Sequence, residues 1–365
     1  MKKLIFGRSV EINCRIPATG ELLQRELSNY PDHRGPTRVS IEITPDLPIP
    51  DEHARNPVTH ATFHGGFAAR FPTCEVSFRT GQRLSIRVAT SDTSSLRQRV
   101  TSFLSHPENA TPAESFGQAF HELVLVPSVY FDSDLVPVHA SAFQLSDGTA
   151  VLIGGTGGVG KTSLELSFCL GGEHPFVSDD IAVVDGTGQV WPNLAYPKIY
   201  AYNLAGSSLR QRVLAGRPPL DLLHWHYRSR LMGPNSVRRR VDPGLFYGAC
   251  AAGASQLAHY FVLRRDPVPE VQIEGLTPAD AAAISTEIIQ AEYQILHNHL
   301  IWHEYNSRLR AMEPCLTIDE TLARFRAVGE RALSGARSHL VRIPNDMRHD
   351  EFLRVVPEAL QAIWS

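Results

Sequence analysis

The run Gly155-Thr156-Gly157-Gly158-Val159-Gly160-Lys161-Thr162 limits the fold of this chain more than any other stretch. Glycine gives up the most backbone freedom inside a helix or strand, so a run this rich in it belongs to a sharp turn. Its flanks are regular: Ala150-Val151-Leu152-Ile153 reads as a short buried strand, and Ser163-Leu164-Glu165-Leu166-Ser167-Phe168 as a helix. A strand, a glycine loop and a helix in that order imply an α/β architecture. The pattern G-x-x-x-x-G-K-[ST] adds chemistry, because successive loop N–H groups and a helix N-terminus converge on one point suited to polyphosphate. There Lys161 can bridge the β- and γ-phosphates of ATP or GTP, and the Thr162 hydroxyl can ligate Mg²⁺. Lysine is scarce, occurring only at positions 2, 3, 161 and 198, which gives Lys161 added weight.

A phosphate loop alone does not separate kinases from switches or motors. The next signal is Phe176-Val177-Ser178-Asp179-Asp180. Adjacent carboxylates repel each other without a cation, and beside a triphosphate one can hold the metal while the other takes a proton from an attacking hydroxyl. The plainer reading is an acidic turn. A third element is His139. Residues 136–144 and 149–154 form two apolar runs around Ser146-Asp147-Gly148, a hairpin signal. With Asp147-Gly148 as a two-residue turn, Ser146 faces Thr149 and His139 faces Thr156, at the mouth of the loop. An imidazole there can orient a carboxylate or move a proton, or serve structure alone.

His139-Ala140-Ser141, the loop 155–162 and Ser178-Asp179-Asp180 stand in the order and approximate spacing of the catalytic domain of bacterial HPr kinase/phosphorylase. They resemble more closely the HPr-kinase-related kinases of biosynthetic gene clusters. The resemblance spans about fifty residues, 136 to 185. It implies a P-loop core akin to phosphoenolpyruvate carboxykinase and transfer of phosphate to a serine hydroxyl with Mg²⁺. It also implies Asp179 as general base, Asp180 with Thr162 on the metal side, and His139 assisting. HPr kinases proper carry a Glu-x-Arg-Gly-x-Gly segment after the aspartates; Tyr196-Pro197-Lys198-Ile199-Tyr200-Ala201-Tyr202-Asn203 stands here instead. That departure points to an acceptor other than HPr: another protein or peptide, or a small-molecule alcohol. A carboxykinase-like transfer to an enolate lacks a recognisable binding set, and a regulatory ATPase would not need the acid/base groups.

The rest of the chain supplies context. Its 365 residues, 43% hydrophobic and 20% charged, suit one large or two modest globular domains. A net charge of -3 gives no reason to expect nucleic acid or an anionic membrane. An odd number of cysteines, five, without CxxC spacing, and no apolar run long enough for a leader or a membrane span, fit a cytoplasmic protein. A homo-oligomer is compatible with all of this. Residues 1–111 show short alternating runs and predict a β-rich N-terminal domain; residues 112–365 predict the kinase domain. Helices are expected over 113–126, 278–312 (with a possible break) and 317–334, a second hairpin over 181–191, a strand at 260–263 and irregular chain over 205–245. Arg228, Arg230, Arg238, Arg239 and Arg240 read first as solvated surface and second as cations for phosphate or an acidic acceptor. Lys198 carries the same pair of readings. His299 and His303, with His297 nearby, predict a polar helix face rather than a metal site, and Trp225 between His224 and His226 predicts packing rather than an acceptor groove.

Overall fold

The computed structural model describes residues 1–90, 112–204 and 209–364, and it is a mixed α/β structure with several mixed sheets. The first sheet has eight strands: β1 (Lys2–Ile5), β2 (Arg8–Cys14), β3 (Val39–Thr44), β4 (His53–Ala54), β5 (His60–Phe63), β6 (Gly66–Arg70), β7 (Glu75–Arg79) and β8 (Leu84–Ala89), in the order β1-β2-β3-β8-β7-β6-β5-β4. β2, β3 and β8 run parallel, and the helix Pro17–Glu26 lies in the crossover between β2 and β3. In β3 the side chains of Val39, Ile41 and Ile43 are buried while Ser40, Glu42 and Thr44 are half-buried, the two-residue period that pins a strand's face.

The second sheet has nine strands. They are β9 (Leu135–Val138), β10 (Ala140–Gln144), β11 (Ala150–Gly154), β12 (Phe176–Ser178), β13 (Ala182–Asp185), β14 (Gln189–Trp191), β17 (Ser255–Asp266), β18 (Gln272–Leu276) and β19 (Arg337–Pro344). β15 (Lys198–Tyr200) and β16 (Arg238–Arg240) pair separately. β17 is the longest, at 12 residues, and it meets β14 at its start, β11 along its middle and β19 toward its end. One apolar core runs from Ile5 to Leu360 through both sheets. Polar ties cross the same seam: Tyr30 Oη donates to Asn193 at 3.2 Å, and Arg240 grips Glu26 through two bonds of 2.7 and 2.9 Å. The boundary drawn at residue 111 lies outside the described residues.

Two expectations need correcting. The β10–β11 ladder pairs Ala140 with Gly154 and Ser141 with Ile153, one residue out of the expected register. Leu145 and Thr149 close the turn, with Leu145 N donating to Thr149 O at 2.7 Å, so the loop is Ser146-Asp147-Gly148 with Gly148 left-handed at φ 87°. Three-residue hairpins place glycine at that position. His139 therefore comes level with Gly155, not Thr156, and sits between β9 and β10. Second, residues 209–247 are not irregular: they hold the helices Leu209–Leu214, Pro219–Met232 and Pro243–Tyr247 besides β16. The stretch expected helical over 278–312 divides into Pro278–Glu292 and Gln294–Leu309. The helix expected at 113–126 spans Pro112–Phe120 and continues through a π-helical turn, His121–Leu125, into Val126–Val129. Among the described residues no helix is long and apolar enough to cross a membrane.

Candidate active site

The glycine loop joins β11 to the helix Lys161–Cys169, and its backbone explains its composition. Gly155, Gly158 and Gly160 have φ of 137°, 78° and 113°, a region costly for residues with a Cβ. A Cβ on Gly155 would come within 2.7 Å of Leu263 O, and one on Gly160 within 2.4 Å of the Phe352 ring. Val159 is buried beneath the loop. Lys161 is buried too, and its Nζ donates to Gly155 O and Thr156 O, both at 3.0 Å, curling along the rim. Burial lowers its ammonium below the ordinary value, partly offset by Asp180, Asp179 and Glu292. Gly157 N donates to the Glu292 carboxylate at 3.2 Å, so a loop amide already faces an anionic oxygen.

The paired aspartates follow β12, and neighbouring side chains at a strand end point apart. Asp179 turns to the loop helix: Thr162 Oγ1 donates to its Oδ1 at 3.0 Å, and Lys198 N donates to its Oδ2 at 3.0 Å. Asp180 turns the other way. Its Oδ1 lies 3.0 Å from His139 Nε2, and Lys198 Nζ donates to its Oδ2 at 2.6 Å. The sequence reading joined Thr162 to Asp180; the hydroxyl is joined to Asp179. Burial would raise the Asp180 carboxyl, but Lys198 and His139 outweigh it and hold it well below the usual carboxylate range. Burial likewise works against the Lys198 ammonium, yet Asp180 and Glu122, the latter at 2.6 Å, keep it above its ordinary value. His139 Nδ1 is buried without a hydrogen bond, 3.7 Å from Glu292 Oε1. Beneath these groups the fully buried Glu165, on the loop helix, accepts from Tyr247 Oη, and burial with the nearby Asp179 raises its carboxyl well above normal.

His139, Lys161, Thr162, Asp179, Asp180, Lys198 and Glu292 line one cleft of about 260 Å³ together with Gly157, Gly158, Gly160, Tyr200, Tyr202 and Arg238. Arg238 Nη1 donates to Tyr200 Oη at 2.7 Å. The surface reading of the arginine run fails for Arg238, Arg239 and Arg240, all buried, while Arg230 is exposed and Arg228 half-buried. Trp225 is buried with Arg239 over its ring at 5.2 Å, which is the packing role expected. The polar-face reading of His299 and His303 also fails. Both are buried against β5, where His299 Nδ1 lies 3.3 Å from His60 Nδ1 and His303 Nδ1 3.1 Å from Thr62 Oγ1. His297 meets Tyr130 Oη at 3.0 Å. No group of three or more metal-ligating side chains fit to hold a metal occurs among the described residues. Glu122, Glu165, Glu292, Tyr200 and Tyr202 escaped the sequence reading; Glu292 stands 135 residues from the amide it meets, beyond any local pattern.

No family model matches the chain, and no curated protein does. Among solved structures, the HPr(Ser) kinase/phosphatase from Coxiella burnetii is similar at 12% identity over 63% of this chain and 99% of that one, with a TM-score of 0.25, a likeness too loose to argue from.

Proposed function

We propose that this chain is a phosphotransferase that takes ATP or GTP with Mg²⁺ and passes the γ-phosphate to a hydroxyl, as the HPr-kinase-like pattern implies. The observation that carries the reading is that Lys161, the Thr162–Asp179 pair and the His139–Asp180–Lys198 chain open onto a single cleft. The residues fit the nucleotide and the metal: Gly155 and Gly160 hold the loop where a Cβ would strike Leu263 O or the Phe352 ring, the space beside Gly158 is open, and hydroxyl and carboxylate oxygens are the hard donors Mg²⁺ prefers. Thr162 and Asp179 would hold the metal, and Lys161 with the loop amides the phosphates. Bound Mg²⁺ and triphosphate supply the reactive phosphoryl group and neutralise its charge.

The roles of the aspartates are then the reverse of the sequence expectation. Asp180, ionised by Lys198 and oriented by His139, accepts the proton of the acceptor hydroxyl. Lys198, paired with Asp180 and Glu122, and Arg238 place hydrogen-bond donors on that side of the cleft, which suits a developing phosphorylated product. A Ser or Thr side chain of a peptide or protein is the preferred acceptor, with a P-loop kinase core over residues 112–365, an N-terminal β-rich domain over 1–111 and a cytoplasmic setting that free cysteines suit. Incubation with γ-labelled ATP and serine-containing peptides tests the reading. Label in peptide, abolished by Lys161→Ala, supports it; label released only as inorganic phosphate would make the chain an ATPase.

A further inference from the structure

The helix Pro219–Met232 has two unlike faces. On one, Asp221, His224 and Trp225 are buried and hold Arg239: Arg239 Nε donates to Asp221 Oδ1 at 2.8 Å, and its Nη2 lies 3.0 Å from His224 Nδ1. On the other, Leu220, Leu223, Tyr227 and Leu231 are 62%, 60%, 57% and 63% exposed. Steps of three and four residues set them in one row along the helix. Single exposed leucines need no explanation, but a contiguous row of four large apolar side chains marks a surface that something covers.

Charge identifies what covers it. Of the eight arginines between Tyr202 and Val241, Arg217, Arg239 and Arg240 are ion-paired with Glu114, Asp221 and Glu26, whereas Arg210 and Arg230 are exposed; the one acid of the stretch, Asp221, is buried. His226 and Arg230, both exposed, follow the row along its flank, and Arg210 Nη2 lies 3.1 Å from His226 Nδ1. An apolar row bordered by the exposed Arg210 and Arg230 suits a partner with the inverse pattern. A second copy of this chain is a poor match, because a two-fold contact would set the same arginines against each other.

We propose that this face is a docking site for an acidic amphipathic helix of the acceptor polypeptide, its apolar side against the leucine row and its carboxylates toward Arg210 and Arg230. The word acceptor rests on the kinase reading; the docking does not. Position supports the link, since Arg239, gripped by the buried face, is the chain neighbour of Arg238 in the cleft wall. A polypeptide seated on the outer face brings its hydroxyl to the cleft at raised effective concentration.

Anisotropy titration of the full chain tests this with a fluorescein-labelled synthetic helix bearing leucines at i, i+3, i+7 and i+11 and glutamates on its remaining exposed positions. Saturable, salt-sensitive binding is expected, weakened about 10-fold or more by L223E/Y227E and by R210E/R230E, with melting temperature and Mg²⁺-nucleotide affinity unchanged. The same helix with lysines in place of glutamates should not bind. Failure of the acidic probe to bind, equal binding of the basic probe, or full binding by both double variants overturns the proposal. So does dimerisation lost in L223E/Y227E, which would make a second copy the occupant, or attachment to phosphatidylserine vesicles lost in R210E/R230E, which would make it a membrane. If docking holds while neither nucleotide binding nor transfer is found, the kinase reading falls alone.

Discussion

A methyl group at Gly160 meets two obstacles, the φ of +113° and the Phe352 ring at 2.4 Å. Gly160→Ala is expected to abolish tight nucleotide binding and to cost about 1–3 kcal/mol of stability. Phe352→Ala removes only the second obstacle, so the double variant should regain part of the affinity in a calorimetric titration. Complete recovery would show that the backbone angle is immaterial. The two aspartates separate by different readouts. Asp179→Asn should remove the Mg²⁺ dependence of nucleotide affinity; Asp180→Asn should keep it and slow transfer by about 10²-fold or more. The opposite pattern would return Asp180 to the metal. Glycine pattern and lysine position are local properties, which is why this loop was legible in the sequence. The partition of the aspartates was not, because it depends on Lys198 arriving from β15 and His139 from the junction of β9 and β10.

At the scale of elements, the helix Gln294–Leu309 is fastened to β5 by histidines as well as apolar contacts. Burial lowers His60 to about 3 and His299 and His303 to about 4 each. In the unfolded chain each takes a proton near the ordinary 6.5. Between those values the unfolded chain binds protons that the folded one excludes, so stability is retained above about pH 6.5 and falls as pH drops toward about 4, by up to about 1.4 kcal/mol per pH unit for each histidine. Denaturant midpoints at pH 7.5 and 5 should differ less in His303→Gln than in the parent chain; an unchanged difference would remove this histidine from the account. The sequence showed two histidines four apart but not His60, which lies 239 residues from His299. The hairpin register failed for a related reason. Ser146-Asp147-Gly148 suits a two- or a three-residue loop, either of which takes a left-handed Gly148, and only the Leu145–Thr149 closure decides. Strands with clean alternation, such as β3, and the helices around residues 278–333 were readable because their burial periods are regular.

For the molecule as a whole, the seam between the sheets carries charge as well as apolar packing. Arg240 and Glu26 are both buried, and burial raises the Glu26 carboxyl despite the guanidinium beside it. Arg240→Ala strands that carboxylate and should cost about 3–5 kcal/mol, whereas the paired change Arg240→Met with Glu26→Leu should recover most of the loss. Urea unfolding measures both, and a paired variant no more stable than the single would mean that shape, not charge, is what the seam needs. Because one core serves both sheets, a single transition is expected in the parent chain.

The three-way pairing of β17 has a consequence for synthesis. β11, which leads into the glycine loop, finds its parallel neighbour only when residues 257–262 have emerged from the ribosome. A nascent or truncated chain ending before them holds the whole glycine motif without that neighbour, so the nucleotide binding proposed above is expected only in chains that extend past residue 262.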